Sequence, residues 1–256
     1  MGERMAAVVL FGLIFGSFLN VVIYRLPQGL SLVRPGSHCT VCNKSIPFYY
    51  NIPILGYAVL RGKCVKCGVS FSWRYPLVEG LTALCLAGLY LVFGMTAQFV
   101  LYGILILFLI PIAFVDLDTG LILNKLTFPG FILGAALGLG LQVETWLSML
   151  LGAVSGGAVI WLFSVLGKLI FRKESIGMGD LKLLVMIGVY VGFPDVLLCL
   201  FFGMAAGSVI ILGGMILRKI KLGDTIPFGP FVAIGTLIFL LRGKLILDWY
   251  LSHFLH

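Results

Sequence analysis

Two short stretches decide how this chain is read: Phe114-Val115-Asp116-Leu117-Asp118-Thr119-Gly120 and Gly177-Met178-Gly179-Asp180-Leu181-Lys182. Each sets a carboxylate at the mouth of a long apolar run, in a chain with only 10 Asp and Glu among 256 residues. An ionisable group in or at the edge of a membrane segment is costly, so it marks a functional site whose partner has to be named. Here each carboxylate is the obvious partner of the other. Between Asp116 and Asp180 lie two apolar segments, 126–143 and 147–170, each long enough to cross a hydrocarbon core about 30 Å thick. Two crossings return the chain to the face it left. Asp116 therefore closes one span and Asp180 opens another, at the same membrane face and at similar depth.

Two carboxylates brought side by side share a proton, which is the state an aspartic peptidase uses. The ionised member takes a proton from water while the protonated member donates a hydrogen bond to the scissile carbonyl. Gly177 and Gly179 fit this reading, since residues without a Cβ let a substrate backbone approach closely. The alternative is that Asp116, Asp118 and Asp180 only mark helix ends, Asp180 being favoured at an N-terminus by the helix dipole. Both readings stay open on the residues alone.

Composition supports a membrane protein throughout. The chain is 61% hydrophobic with 11% charged residues, and its mean hydropathy is +1.13, whereas about a quarter of residues are charged in soluble domains. A net charge of +8 raises the question of nucleic acid. The basic residues are instead distributed by topology and form no stripe along a helix, so nucleic acid is not a partner.

The segment from Met5 to Tyr24, closed by Arg25-Leu26-Pro27, reads as the first spanning helix; the basic start and small-residue cleavage site of a removable signal peptide are weak or missing. Gly16, Ser17 and Asn20 share one face of it, a pattern of tight helix packing. Residues 26–75 differ in kind. They hold four of the 6 cysteines and, with Arg25, seven of the 18 Lys and Arg. A domain of this size needs a staple. Cys39, Cys42, Cys64 and Cys67 form C-x2-C-x21-C-x2-C, the spacing of a four-cysteine zinc ribbon with a closed, structural metal. Two disulfides are the alternative and would require an oxidising compartment. His38 reads as a neighbour of the site, and Cys85 and Cys199 as packing residues in apolar segments.

The spans expected are 5–24, 77–94, 97–115, 126–143, 147–170, 181–193, 195–217 and 226–247. With residues 26–75 in the cytoplasm, alternation puts all but Arg4, Arg242 and Lys244 of the 18 basic residues inside, as the positive-inside rule requires. The expected fold is an all-α polytopic membrane protein of about eight transmembrane helices with a small cytoplasmic zinc-ribbon-like domain. Its expected parts are 1–25, the first helix; 26–75, the zinc domain; and 76–256, a membrane aspartyl peptidase domain. Segment 181–193 is short and breaks at Gly192-Phe193-Pro194-Asp195, so a bent or tilted helix, or one beside a water-filled cavity, is expected there. The cluster Arg218, Lys219 and Lys221 suits anionic lipid headgroups. Asp224 reads as a helix-start residue. Ile226-Pro227-Phe228-Gly229-Pro230 is expected to be irregular and to wall the active site.

Taken together these motifs resemble the prepilin peptidases, bifunctional leader peptidases and N-methyltransferases of type IV pilus and type II secretion systems. The resemblance runs nearly end to end. It rests on Gly16-Ser17-Phe18-Leu19-Asn20-Val21, Arg25-Leu26-Pro27, both cysteine knuckles, Asn51-Ile52-Pro53 and Leu60-Arg61-Gly62-Lys63-Cys64. It continues through Arg74-Tyr75-Pro76-Leu77-Val78-Glu79, Asp116-Leu117-Asp118, Gly177 to Lys182, and Ile226 to Pro230. The resemblance implies cleavage of type IV prepilins or pseudopilins after a leader glycine, at the cytoplasmic face of the bacterial inner membrane, with Asp116 and Asp180 as the catalytic pair. It also implies methylation of the new amino terminus with S-adenosylmethionine, an activity associated with the cysteine domain; no glycine-rich fingerprint locates that cofactor's pocket. Thr40, Tyr50 and Gly56 stand where many members have proline, glutamate and serine, departures that bear on methylation rather than on the aspartates. A proton- or cation-coupled transporter is the alternative for membrane carboxylates. It leaves the zinc ribbon without a use.

Overall fold

The computed structural model describes residues 2–39, 41–171, 177–221, 224, 226–243, 245, 246, 249, 252 and 253. Arg172, Lys173 and Lys244 of the basic count, the Glu174 loop, and Leu222, Gly223 and Thr225 beside Asp224 lie outside them. The chain divides into two compact units, Met1–Leu91 and Val92–His256. All named elements are helical, and the described residues contain only two isolated β-bridges.

Unit 1 is built on α1 (Gly2–Arg25) and most of α3 (Arg74–Phe93). Their approach is set by glycines: a Cβ on Gly16 would lie 2.6 Å from the Glu79 Cα, and one on Gly12 would strike the Ala83 backbone. Small residues four apart let helix backbones meet where lipid supplies no hydrophobic drive. Asn20, one turn further, donates to the Tyr75 carbonyl at 3.1 Å. The face predicted from Gly16 and Asn20 is thus a packing face. Between α1 and α3 the chain forms a 3-10 turn at Phe48–Asn51, the short α2 (Leu55–Val59), and the two cysteine knuckles.

Unit 2 holds α4 (Ala97–Thr119), α5 (Asn124–Gly140), α6 (Trp146–Phe171), α7 (Met178–Val191), α8 (Asp195–Ile216) and α9 (Gly229–Ile238), the last followed by a π-helical turn, Phe239–Gly243. A helix occupies every expected span. Among the described residues, five helices (α1, α3, α4, α6 and α8) are long and apolar enough to cross a membrane. The 14 residues of α7 rise only about 21 Å at 1.5 Å each, short of the ~30 Å core.

That short helix is the centre of unit 2. It contacts α4, α5, α6 and α8, and Leu183, Leu184, Met186, Ile187 and Tyr190 are fully buried. Enclosure by these neighbours accommodates its short length. Close packing again needs glycine. A Cβ on Gly188 would meet the Ala153 nitrogen at 2.7 Å, and Gly130, Gly134 and Gly138 make a groove on α5 for Met186, Tyr190 and Met149. Tyr190 carries its hydroxyl into that groove and donates to the Gly130 carbonyl at 2.9 Å. A polar group buried this deeply would otherwise cost more than its ring gains.

Candidate functional site: two aspartates and a four-cysteine cluster

Asp116 lies in the last turn of α4, which runs to Thr119 rather than ending at 115. Gly120 ends the helix in the left-handed conformation at φ 64°, a position glycine adopts without strain. The carboxyl is buried, at 4% exposure. Its Oδ2 accepts the Gly229 backbone N–H at 2.8 Å. Gly229 is the first residue of α9, so Asp116 receives one of the N–H groups that a helix start leaves without a partner. Sequence reasoning picked Ile226 to Pro230 as a cavity wall but missed this donor. Nor is the whole stretch irregular: Gly229 and Pro230 already belong to α9, because a proline in the first helical turn forfeits no intrahelical hydrogen bond.

Asp180 lies in the first turn of α7, where its Oδ2 accepts the Gly177 N–H at 3.1 Å. This is the reach-back bond of a capping box. Asp180 therefore does cap its own helix, and the dipole there favours its charge. It also feels the charge of Asp116 directly, so the end of α4 and the start of α7 bring the two acids within electrostatic range. No hydrogen bond joins the two carboxylates; each Oδ2 is turned to a glycine N–H instead. Asp118, by contrast, is exposed, as the roughly 200° between residues two apart on a helix predicts.

The surroundings fix the mouth of α7. Gly179 is packed, since a Cβ there would lie 2.9 Å from the Ile122 Cβ, whereas Gly177 is exposed with nothing but Asp180 and its own chain nearby. Of the two glycines only Gly177 is open to an approaching backbone. Lys182 Nζ donates to Asn124 Oδ1 at 2.9 Å, tying the start of α7 to the start of α5. Neither Ile122 nor Asn124 was singled out from sequence; nothing in a lone Ile or Asn distinguishes such a role.

In unit 1 the sulfurs of Cys39, Cys42, Cys64 and Cys67 lie within 4.8 Å of one another, and Cys39 and Cys67 Sγ are 3.7 Å apart. All are free thiols. Zinc–sulfur bonds of about 2.3 Å in a tetrahedron place sulfurs about 3.8 Å apart, so the cluster fits one zinc ion. The knuckles repeat one design. The Asn43 N–H donates to the Cys39 carbonyl, and the Gly68 N–H to the Cys64 carbonyl, each at 2.9 Å. Asn43 and Gly68 take the same left-handed position, φ 54° and 71°, and the bridges His38–Ser45 and Lys63–Ser70 close the two loops. Such turns aim backbone N–H groups at sulfur. The Cys42 and Val41 N–H groups pull the Cys39 thiol down to about 6, and those of Lys66 and Cys67 lower Cys64. At Cys67 the Val69 N–H favours the thiolate, but burial and the neighbouring sulfurs outweigh it and push the thiol up to about 12. His38 bonds the Gly36 carbonyl through Nδ1 at 2.9 Å and stands outside the ligand set.

Residues 10–93 match the bacterial peptidase A24 N-terminal domain, and residues 103–212 match the type IV leader peptidase family. The first range contains the four cysteines and the second both aspartates. The chain belongs to the type IV leader peptidase family. Among its relatives, the prepilin leader peptidase/N-methyltransferase of Aeromonas hydrophila is 35% identical over 97% of this chain and 94% of its own length. The protein of that name from Neisseria gonorrhoeae is 33% identical over 94% of this chain and 93% of its own. That of Myxococcus xanthus is 39% identical over 80% of this chain, which spans only 62% of it. No solved structure gives a significant match.

Proposed function

We propose that this leader peptidase cuts type IV prepilins or pseudopilins after the glycine that ends their leader, with Asp116 and Asp180 as the catalytic pair. The observation that carries the assignment is the convergence of two acids, from the end of α4 and the start of α7, within range of each other's charge. In the reaction, one carboxylate takes a proton from a water lying between the pair, and that water attacks the scissile carbonyl. The other carboxyl donates its proton to the carbonyl oxygen as the tetrahedral intermediate forms. The proton held by the first then passes to the leaving nitrogen as the C–N bond breaks. Gly177, open on the solvent side of Asp180, gives the extended substrate backbone its approach. The transporter alternative gains nothing from the family match.

Cleavage takes place at the cytoplasmic face of the bacterial inner membrane, the side to which the basic residues assign residues 26–75. Those residues act as a cytoplasmic domain held by one structural zinc on Cys39, Cys42, Cys64 and Cys67, residues 1–25 as the first membrane helix, and residues 76–256 as the peptidase domain. The same chain methylates the freed amino terminus, with S-adenosylmethionine as donor. Arg218, Lys219 and Lys221 engage anionic lipid headgroups.

The test is digestion of a synthetic prepilin by the purified chain in lipid or detergent, followed by mass spectrometry. A product shortened after the leader glycine, absent with Asp116→Asn, supports the assignment; proton-coupled flux in liposomes without cleavage overturns it.

A further inference from the structure

Unit 1 contains a cavity of about 200 Å³, set between α1, the knuckle domain and the first turns of α3. It exceeds the roughly 150 Å³ of a cavity that takes benzene, so a purine-sized ring fits. Its walls include Asn20, Tyr24 and Arg25 from α1, Tyr50 and Tyr57 from the segment between the helices, and Glu79 from α3.

Glu79 is the group that demands an explanation. Its carboxylate is buried, at 6% exposure. Oε2 accepts the Ile54 N–H at 2.7 Å, and the Ser17 hydroxyl lies beside it. No Lys, Arg or His among the described residues pairs with it. A carboxylate offers about four acceptor positions, and with Ile54 and Ser17 taking two of them about half remain for a ligand. The loop that brings Ile54 to Glu79 is itself strained: Ile54 has φ 60° and ψ −51°, a conformation that a β-branched residue adopts only under constraint from its surroundings. Arg25 is also buried, at 8%, and spends one N–H on the Ser31 carbonyl at 3.0 Å and another on the Gly36 carbonyl at 3.1 Å. The cavity thus offers an anion and a cation that do not neutralise each other, together with tyrosine rings. A ligand matching it carries a positive centre, a carboxylate and a flat ring.

We propose that this cavity binds S-adenosylmethionine, with Glu79 as the counter-charge to its sulfonium and the tyrosine rings as the platform for its adenine. This rests on the N-methyltransferase reading above and gives it a location. In the transfer, the lone pair of the substrate's neutral α-amine forms the new N–C bond. The C–S bond breaks with its electron pair going to sulfur, leaving a neutral thioether, and the methylated nitrogen releases its surplus proton to water. The charge that Glu79 balances is therefore lost as the reaction proceeds, which favours release of the spent donor.

The test is equilibrium binding of S-adenosylmethionine and of S-adenosylhomocysteine, which lacks the sulfonium charge, to the full chain in detergent. Ultraviolet cross-linking of the bound donor then maps its position. Glu79→Gln is expected to weaken S-adenosylmethionine about tenfold or more and S-adenosylhomocysteine much less. Tyr24→Ala, at an exposed ring whose loss opens no core void, is expected to weaken both alike. Both variants should keep prepilin cleavage, which reports an intact fold. Unchanged donor affinity in both variants, or a cross-link mapped to unit 2, overturns the site and leaves the methyltransferase reading standing. A wild-type chain that neither binds nor uses the donor overturns both. Weakening only of a peptide that carries the free amino terminus left by cleavage, and not of the donor, would assign the cavity to the methyl acceptor and overturn the proposal.

Discussion

A single methyl group on Gly229 should separate activity from stability. Gly229 is buried at the start of α9 and its φ is not positive, so alanine fits the backbone. The added Cβ would lie 2.8 Å from Asp116 Oδ2 and 3.3 Å from its Cγ. Van der Waals contact between such atoms begins nearer 3.4 Å, so the carboxyl must shift by roughly half an ångström. The N–H donated to Asp116 is retained, and alanine is a better helix former than glycine, which offsets part of the strain. Misplacing a reacting group by about 1 Å can cost on the order of 10²-fold in rate. Half that shift implies a loss of about tenfold in kcat, or ~1.4 kcal/mol of transition-state stabilisation. The assay is prepilin cleavage by purified Gly229→Ala in detergent, with KM and Tm measured alongside. We expect kcat to fall about tenfold while KM and Tm stay close to the parent. A kcat within about twofold of the parent, at unchanged Tm, would show that the carboxyl against Gly229 is not a reacting group.

Asp116→Asn and Asp180→Asn should each abolish cleavage and the double variant should be no worse, whereas Asp118→Asn should keep it; substantial cleavage by Asp180→Asn would move the site elsewhere. Methylation of a pre-cleaved substrate should survive both single changes if the two chemistries occupy separate places. Any one of Cys39, Cys42, Cys64 or Cys67 changed to serine should release zinc and loosen unit 1, as read by metal analysis and limited proteolysis, with a smaller effect on cleavage; four oxidised thiols and no zinc as isolated would contradict this. Gly188→Ala, whose Cβ would meet the Ala153 nitrogen at 2.7 Å, should destabilise unit 2 by about 1–3 kcal/mol, seen as a lowered Tm. In intact cells, single cysteines at the loops near Gly94 and Glu144, in a background without the native ones, should react with an impermeant maleimide. Labelling at the Glu174 loop instead would reverse the topology.

What the sequence revealed, and what it hid, follows from how each feature is encoded. The four-cysteine cluster was legible because sulfur ligands from two tight turns carry a fixed spacing, and Asn43 and Gly68 mark the same turn in each knuckle. Five helices were legible because their apolar runs have membrane length, although α4 continued to Thr119 where the run ended at Val115. Helix ends are set by caps such as Gly120 and not by hydropathy. The two aspartates stood out because acids are scarce here. Their immediate partners did not. The Gly229 N–H that holds Asp116 comes from 113 residues away in the chain, and a backbone donor leaves no side-chain signature.

Glu79 illustrates the same limit from the other direction. In the sequence it is one acid in Arg74-Tyr75-Pro76-Leu77-Val78-Glu79, indistinguishable from a helix-surface residue. In the fold, Gly16 brings α1 against the Glu79 backbone, and the Glu79 side chain is buried. The same approach carries Ser17 to the carboxylate. Packing glycines and a buried charge are thus parts of one arrangement: the close helix contact removes water from Glu79, and a desolvated charge interacts more strongly with any cation that reaches it. On this argument, widening the helix contact should weaken a cationic ligand even with Glu79 intact. Gly16→Ala, which pushes α1 off α3, should therefore lower affinity for S-adenosylmethionine more than for S-adenosylhomocysteine. Equal losses for the two would mean that the cavity recognises shape alone.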